Sequence, residues 1–146
     1  MNLFILDLDP VLAAQQQCDK HVPKMVVESA QMMSTAHRIL DGDLTRRPSV
    51  SGKTMVKYWV HPNHNWENIL HKAVHTHHPC TRWTMESSDN YFWHYQHFIA
   101  LCEEYTYRYG KVHKVERSGL MKKLVNKKPK NIPRGVWTEP TPAMPD

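Results

Sequence analysis

Glycine is scarce in this chain, with five in 146 residues. None falls in a GxGxxG or GxxxxGK(S/T) pattern, so there is neither a dinucleotide fingerprint nor a phosphate-binding loop of the NTPase kind. A GxSxG elbow is missing as well, which leaves Ser–His hydrolase chemistry unsupported. Cysteine is rarer still: Cys18, Cys80 and Cys102 are an odd number at wide spacing. That argues against a disulfide framework and for a reducing compartment, and all three read as small buried residues. No window approaches the roughly 18 apolar residues of a membrane span. The opening MNLFILDLDP has no basic stretch ahead of its apolar run and acids directly after it, so it does not read as a secretory signal. These absences predict a soluble, intracellular (cytoplasmic) protein, in the host cytoplasm if the chain is viral. The length suits one domain that buries its core without disulfide or metal staples.

Acids are also in the minority, 14 against 19 Lys and Arg, for a net charge of +5 and a pI of about 9.2. The excess is concentrated. Lys111, Lys114, Arg117, Lys122, Lys123, Lys127, Lys128, Lys130 and Arg134 face a single acid, Glu116, in that stretch. Such a cluster neutralises phosphates and releases counterions, the footprint of salt-sensitive nucleic-acid binding. A solvated basic tail is the plainer explanation of the same residues.

The expected fold is mainly α: a helical core over residues 1–110, interrupted by a long irregular region, followed by a basic, Pro-rich tail over 111–146. Asp9-Pro10 reads as the N-cap and first residue of a short helix through Gln17. Periodicity predicts a main helix from about Val22 to Leu40, ended by Asp41-Gly42. Residues 41–80 are the least regular, with MVKYWV at 55–60 as a short strand and a helical turn or two within 66–74. One long helix is expected from Thr81 to Tyr109. Its core face holds Trp83, Tyr91, Tyr95, Phe98, Leu101, Cys102, Tyr105 and Tyr109, bordered by Glu86, Asn90, Trp93, His97, Glu104 and Arg108, with Gly110 as C-cap. A short helix near 115–125 precedes a tail too rich in Pro and Lys for helix, which wraps the surface or waits for a partner.

Along the first long helix, positions 21, 24, 28, 31 and 35 fall within roughly a quarter of the circumference at about 100° per residue. His21, Lys24, Glu28, Gln31 and Thr35 therefore form a narrow polar strip beside Val22, Met25, Val26, Met32, Met33, Ala36 and Leu40. An acid, an amine and an imidazole on such a strip suit acid–base work, although a Glu four residues from a Lys is also the commonest surface pair. Six histidines crowd positions 61–78. His71 and His75 have the i, i+4 spacing that can set two imidazoles on one metal, but no Glu lies between them in the metalloprotease pattern and there is no CxxC. No metal and no cofactor are expected. An acid on a helix, a nearby amine, aromatic rings and a basic surface fit an enzyme that binds DNA phosphates, extrudes a nucleotide or pries open its pairing, and polarises a sugar–base bond. Trp59, Trp66 or Trp93 would stack on a base, whereas Trp83 reads as core.

Asp19-Lys20-His21 followed seven residues later by Glu28, the later segment ending in EEYTYRYGK, and the basic tail together resemble the pyrimidine-dimer DNA glycosylase family, of the phage endonuclease V type. The resemblance covers roughly residues 1–110. It implies a compact helical domain with Glu28 as the catalytic carboxylate and His21 facing substrate. It also implies an amine that attacks the sugar C1′, forms an imine as the base leaves, and nicks the strand by β-elimination. In the family the amine is an α-amine exposed by removal of the initiator Met. Asn2 is too bulky for that removal to be expected, so Met1, Lys20 or Lys24 supplies the amine, or lyase activity is absent. An α-amine with a pKa near 8 is partly neutral at pH 7, unlike a solvated Lys near 10.4. The family's first-helix arginines are not matched, Val27 and Gln31 lying near those places. The expected site is thus Glu28, Met1 and Lys24 for catalysis. His21, Lys20, Gln31, Trp59, Trp93, Arg82, Lys122, Lys123, Lys127 and Lys128 are expected to contact a monomer's partner, double-stranded DNA. Three further readings stand beside it: a non-catalytic nucleic-acid-binding protein, the same scaffold acting on modified bases, and a metal-dependent nuclease built on the histidine-rich segment.

Overall fold

The structure is a computed structural model, described here over residues 3–140. Asp9 starts the first helix, α1 (Pro10–Gln15), by accepting hydrogen bonds from the backbone N–H of Val11 and Leu12, while Pro10 sits where no N–H is needed. The second helix, α2 (His21–Asp41), tolerates Pro23 because the N–H groups of a first turn have no helical partner. It ends at Gly42, where the chain turns so tightly that a Cβ would press on the carbonyls of Arg38 and Val60. Strands β1 (Asp43–Pro48) and β2 (Met55–Val60) then pair antiparallel, Asp43 opposite Val60 through Pro48 opposite Met55. After α3 (His64–Ile69) come α4 (Pro79–Glu86), α5 (Ser88–Tyr109), α6 (Lys114–Arg117) and α7 (Leu120–Leu124). The described residues are 52% helical and hold seven helices and one two-stranded sheet, the mainly α fold expected.

Four expectations need correction. The helix expected over 81–109 is two helices, because Ser87 is extended (φ −152°, ψ 158°) and its hydroxyl accepts from Asn90 N–H as the cap of α5. The expected strand has a partner, β1, whose sequence DLTRRP carries little strand signature of its own. The short helix near 115–125 is split at Gly119, whose positive φ of 89° suits glycine. Cys18 is exposed, while Cys80 and Cys102 are buried, and all three are free thiols.

The core lies between α2 and α5. Met25, Val26, Ala30, Met33 and Ala36 pack with Tyr91, Tyr95, Phe98, Leu101 and Cys102, and Leu120, Leu124 and Ile132 close one end. Each large apolar side chain so buried contributes roughly 1.5–3 kcal/mol. A second cluster, Ala13, Trp83 and Trp93 with Leu3, Ile5 and Trp137, ties residues 3–5 and the tail to α1, α4 and α5. The tail through residue 140 wraps the surface: Lys130 and Asn131 N–H donate to Asp41, and Thr138 N–H donates to Asn90. No helix among the described residues is long and apolar enough to cross a membrane.

Candidate functional site

The polar strip of α2 divides into a covered half and an open half. Thr35 is buried and bonds both the N–H and the carbonyl of Val74, at 3.1 and 3.4 Å, and Ser34 accepts from His71 N–H at 3.1 Å. Residues 70–74 thus lie over this part of the helix. One turn further, buried Arg38 (1% exposed) donates to the carbonyls of His71, Trp59, Glu67 and Leu70 and pairs with the Glu67 carboxylate. Tyr58 OH and His61 N–H donate to the same carboxylate, at 2.6 and 2.9 Å. Arg38 therefore joins α2 to the base of the hairpin and to α3, which makes its role architectural.

Toward the start of α2 the strip is open only in part, and Oε2 of the Glu28 carboxylate is out of contact with solvent. His21 is half-buried beneath the Phe4 ring, stacked at 5.0 Å; Lys20 and Lys24 are exposed; Glu28 and Gln31 are half-buried. Glu28 acts electrostatically on two residues at the start of α4, His78 and Cys80. Burial lowers the His78 pKa, with Glu28 opposing, and burial raises the Cys80 thiol, with Glu28 adding to the rise. The Leu3 backbone reaches that thiol. His78 caps α4 by accepting Cys80 N–H at Nδ1 (3.1 Å), so in its neutral form the proton lies on Nε2. The structure thus gathers Glu28, His21, His78, Cys80 and the Leu3–Phe4 segment, with Lys20, Lys24 and Arg82 exposed; Arg82 Nη2 lies 3.5 Å from His77 Nδ1. His78 and Cys80 were missed in the sequence, although a histidine directly before a proline at a helix start is a capping position.

A second candidate lies on the far side of α2. Nine residues separate Glu28 from His37, about half a turn around the helix and about 13 Å along it. There a cavity of ≈ 840 Å³ is lined by His37, Asp41, His61, Trp66 and Phe92, with Lys127, Lys128 and Lys130 among its walls. His37, Asp41 and His61 offer ligand atoms within 4.8 Å of one another, the one such grouping among the described residues. Their bonds show what they do instead. Asp41 accepts from Lys130 N–H, Asn131 N–H and the Asn131 amide, at 2.8 to 3.1 Å. His61 Nδ1 accepts Asn63 N–H, which puts the proton of the neutral ring on Nε2 and removes the lone pair a metal would need there. His37 Nε2 lies 2.8 Å from Tyr91 OH, and burial pulls its pKa down to about 4 against the pull of Asp41. Asp41 anchors the tail, and the trio would hold a metal only by giving up those bonds. His71 and His75 lie outside any helix, so their spacing builds no paired ligand set.

No family model, no curated protein and no solved structure matches the chain. Trp66 stacks on His37 at 4.7 Å and His61 at 5.7 Å, with the ammonium groups of Lys123 and Lys127 over its ring at 5.3 and 6.0 Å. Lys122 is exposed and Lys128 half-buried nearby. Lys123, Lys127 and Lys128 thus lie around Trp66 and its cavity, with Lys122 next to Lys123 on α7. Trp59 is half-buried at the base of β2. Trp93 needs correction as a base-stacking ring: it is 8% exposed, its indole N–H donates to Leu8 O at 2.7 Å, and it stacks on His97, so it belongs to the second core cluster. Met1 lies outside the described residues. Asp19, of the Asp-Lys-His element, pairs with Arg108 at 2.9 Å and fixes the start of α2 against the end of α5.

Proposed function

We propose that the chain is a DNA N-glycosylase with lyase capacity, acting on damaged pyrimidines in duplex DNA, with Glu28 as its catalytic carboxylate. The observation that carries this reading is the company Glu28 keeps. The acid stands half-buried on the face of α2 that also carries His21, within electrostatic reach of His78, while Lys20, Lys24 and Arg82 are exposed at the starts of α2 and α4. A polyanion held by those cations would bring a sugar to a carboxylate already shielded on its helix side, where charge stabilisation is stronger than in water.

The chemistry follows the carboxylate. A neutral amine, from Met1, Lys20 or Lys24, forms a bond to C1′ as the C1′–N bond to the base breaks, and the base leaves with the electron pair and takes up a proton. Loss of the amine proton and ring opening give the imine. Abstraction of a C2′ proton then expels the 3′ phosphate and nicks the strand. Glu28 stabilises the cationic sugar and carries protons, and His21 contacts the sugar-phosphate. No metal enters these steps.

The test incubates the protein with UV-irradiated and undamaged plasmid in EDTA, with borohydride to trap the imine. Nicking and a covalent adduct on irradiated DNA alone support the reading, and both should vanish in Glu28→Gln. A second reading, nucleic-acid binding without catalysis, is favoured by the lysines around Trp66 on the other side of α2. Binding to both plasmids with neither nick nor adduct would select it.

A further inference from the structure

The β1–β2 hairpin is the least covered part of the described chain. All six residues of β1 and the first three of β2 are exposed, and Val50 at the turn is 101% exposed. An isolated two-stranded hairpin is marginal in water and needs a reason to keep its shape. Its base supplies one: the Trp59 carbonyl accepts from Arg38, Tyr58 OH donates to Glu67, and Gly42 lets the helix end lie against Val60. The turn is closed by Ser49 N–H donating to Thr54 O at 2.7 Å and Gly52 N–H to Ser49 O at 2.8 Å, with Gly52 at φ 75°. A rigid foot and a closed tip thus hold out a ribbon whose β1 residues no other described part of the chain buries, although Lys72, Ala73 and Val74 line a cleft beside it.

The ribbon is also cationic. Arg46, Arg47, Lys53 and Lys57 face one acid, Asp43, at its base. Arg46 stands directly opposite Lys57 across the two strands, on one face, and both are exposed. Like charges at facing positions destabilise a strand pair, and no acid stands on the flanking rungs of that face, where Leu44 faces Trp59 and Pro48 faces Met55. Such a pair is relieved by an anion that binds both side chains. A second copy of the ribbon would only add to the repulsion.

We propose that this hairpin enters the major groove of duplex DNA, with Arg46, Lys57 and Lys53 gripping the flanking phosphates. The major groove of B-form DNA, about 12 Å wide, admits a two-stranded ribbon, whereas the deep, narrow groove of duplex RNA does not. The inference shares with the proposed function its choice of duplex DNA and uses none of the Glu28 chemistry.

The test measures binding of the full chain to an undamaged, fluorescent DNA duplex across a salt series. Arg46→Glu places opposite charges at the facing positions, so its melting temperature should equal or exceed that of the wild type. Its affinity should nevertheless fall roughly tenfold, and the slope of log K against log salt should become shallower by about one to two, a contact or two lost. The swap Arg46→Lys with Lys57→Arg keeps the charge and should bind as the wild type does. Duplex RNA of the same sequence should bind more weakly than DNA. Wild-type affinity and slope in Arg46→Glu, or equal binding of the two duplexes, would overturn the proposal. If Arg46→Glu fails to fold, Arg46→Ser with Lys57→Ser gives the same reading. Because binding is read on undamaged DNA, a protein that never nicks irradiated plasmid would refute the glycosylase reading and leave this result standing.

Discussion

The two halves of α2 carry similar chemistry and use it differently. Its later half holds Ser34, Thr35, His37, Arg38 and Asp41, and each is engaged by a loop, a neighbouring ring or the tail. Its earlier half holds His21, Lys24 and Glu28 on a face left open beside the start of α4. The later half has more of the residues that look catalytic in a list, including two histidines and an acid at metal-like spacing once His61 is added. What separates the halves is the fate of the lone pairs and protons. In the later half they are engaged in holding the fold, even where His37 and Asp41 line a cavity, whereas the earlier half sets Lys24 in solvent beside half-buried His21 and Glu28.

Removing the hub of the closed half should have the largest effect. Arg38→Leu leaves the Glu67 carboxylate without its cation and four carbonyls without their donor, so it should cost roughly 3–5 kcal/mol in urea unfolding. A loss under about 1 kcal/mol would mean that the closed half is not held as described. Of comparable size, but spread over several buried groups, is acid sensitivity. Burial lowers the pKa of His37 to about 4, His94 to about 3 and His97 to about 4. Each folded-state value lies below the ordinary 6.5, so the unfolded chain binds more protons, and stability present above pH 6.5 is lost as pH falls toward 4. Each histidine contributes a slope of at most about 1.4 kcal/mol per pH unit in that window. A melting temperature flat from pH 7 to 4.5 would contradict this. Asp41→Ala comes third, releasing the tail at a cost of roughly 1–3 kcal/mol, with proteolysis appearing near residues 126–135 before the helices are cut.

Some of this division was readable in the sequence. The bounds of α2 were legible because Asp41-Gly42 stops a clear 3.6-residue period, and the strip from His21 to Thr35 followed from the same geometry. Arg38 was not legible as a hub, since four of its partners are backbone carbonyls from residues 59–71, which no side-chain pattern announces. Trp93 looked like a border residue because its cover comes from Leu8 and the cluster that Trp137 joins, far away along the chain. The break at Ser87 did have a signal, a serine directly before Ser88-Asp89-Asn90, hidden by the aromatic periodicity on both sides. Strand β1 forms because β2 and the Arg38 foot are beside it, a tertiary cause that local propensity does not contain.

The smallest effect on stability should accompany the largest effect on chemistry. Glu28→Gln replaces a half-buried carboxylate with an amide of the same shape and should shift unfolding by less than about 1 kcal/mol. The most direct measurement is therefore borohydride trapping on UV-irradiated duplex in EDTA, run on the wild type and Glu28→Gln at matched DNA binding. A covalent adduct and nick in the wild type, both absent from a stable, DNA-binding Glu28→Gln, is the predicted result. Equal trapping by the two proteins would contradict the assignment of the open half of α2 as the site of chemistry.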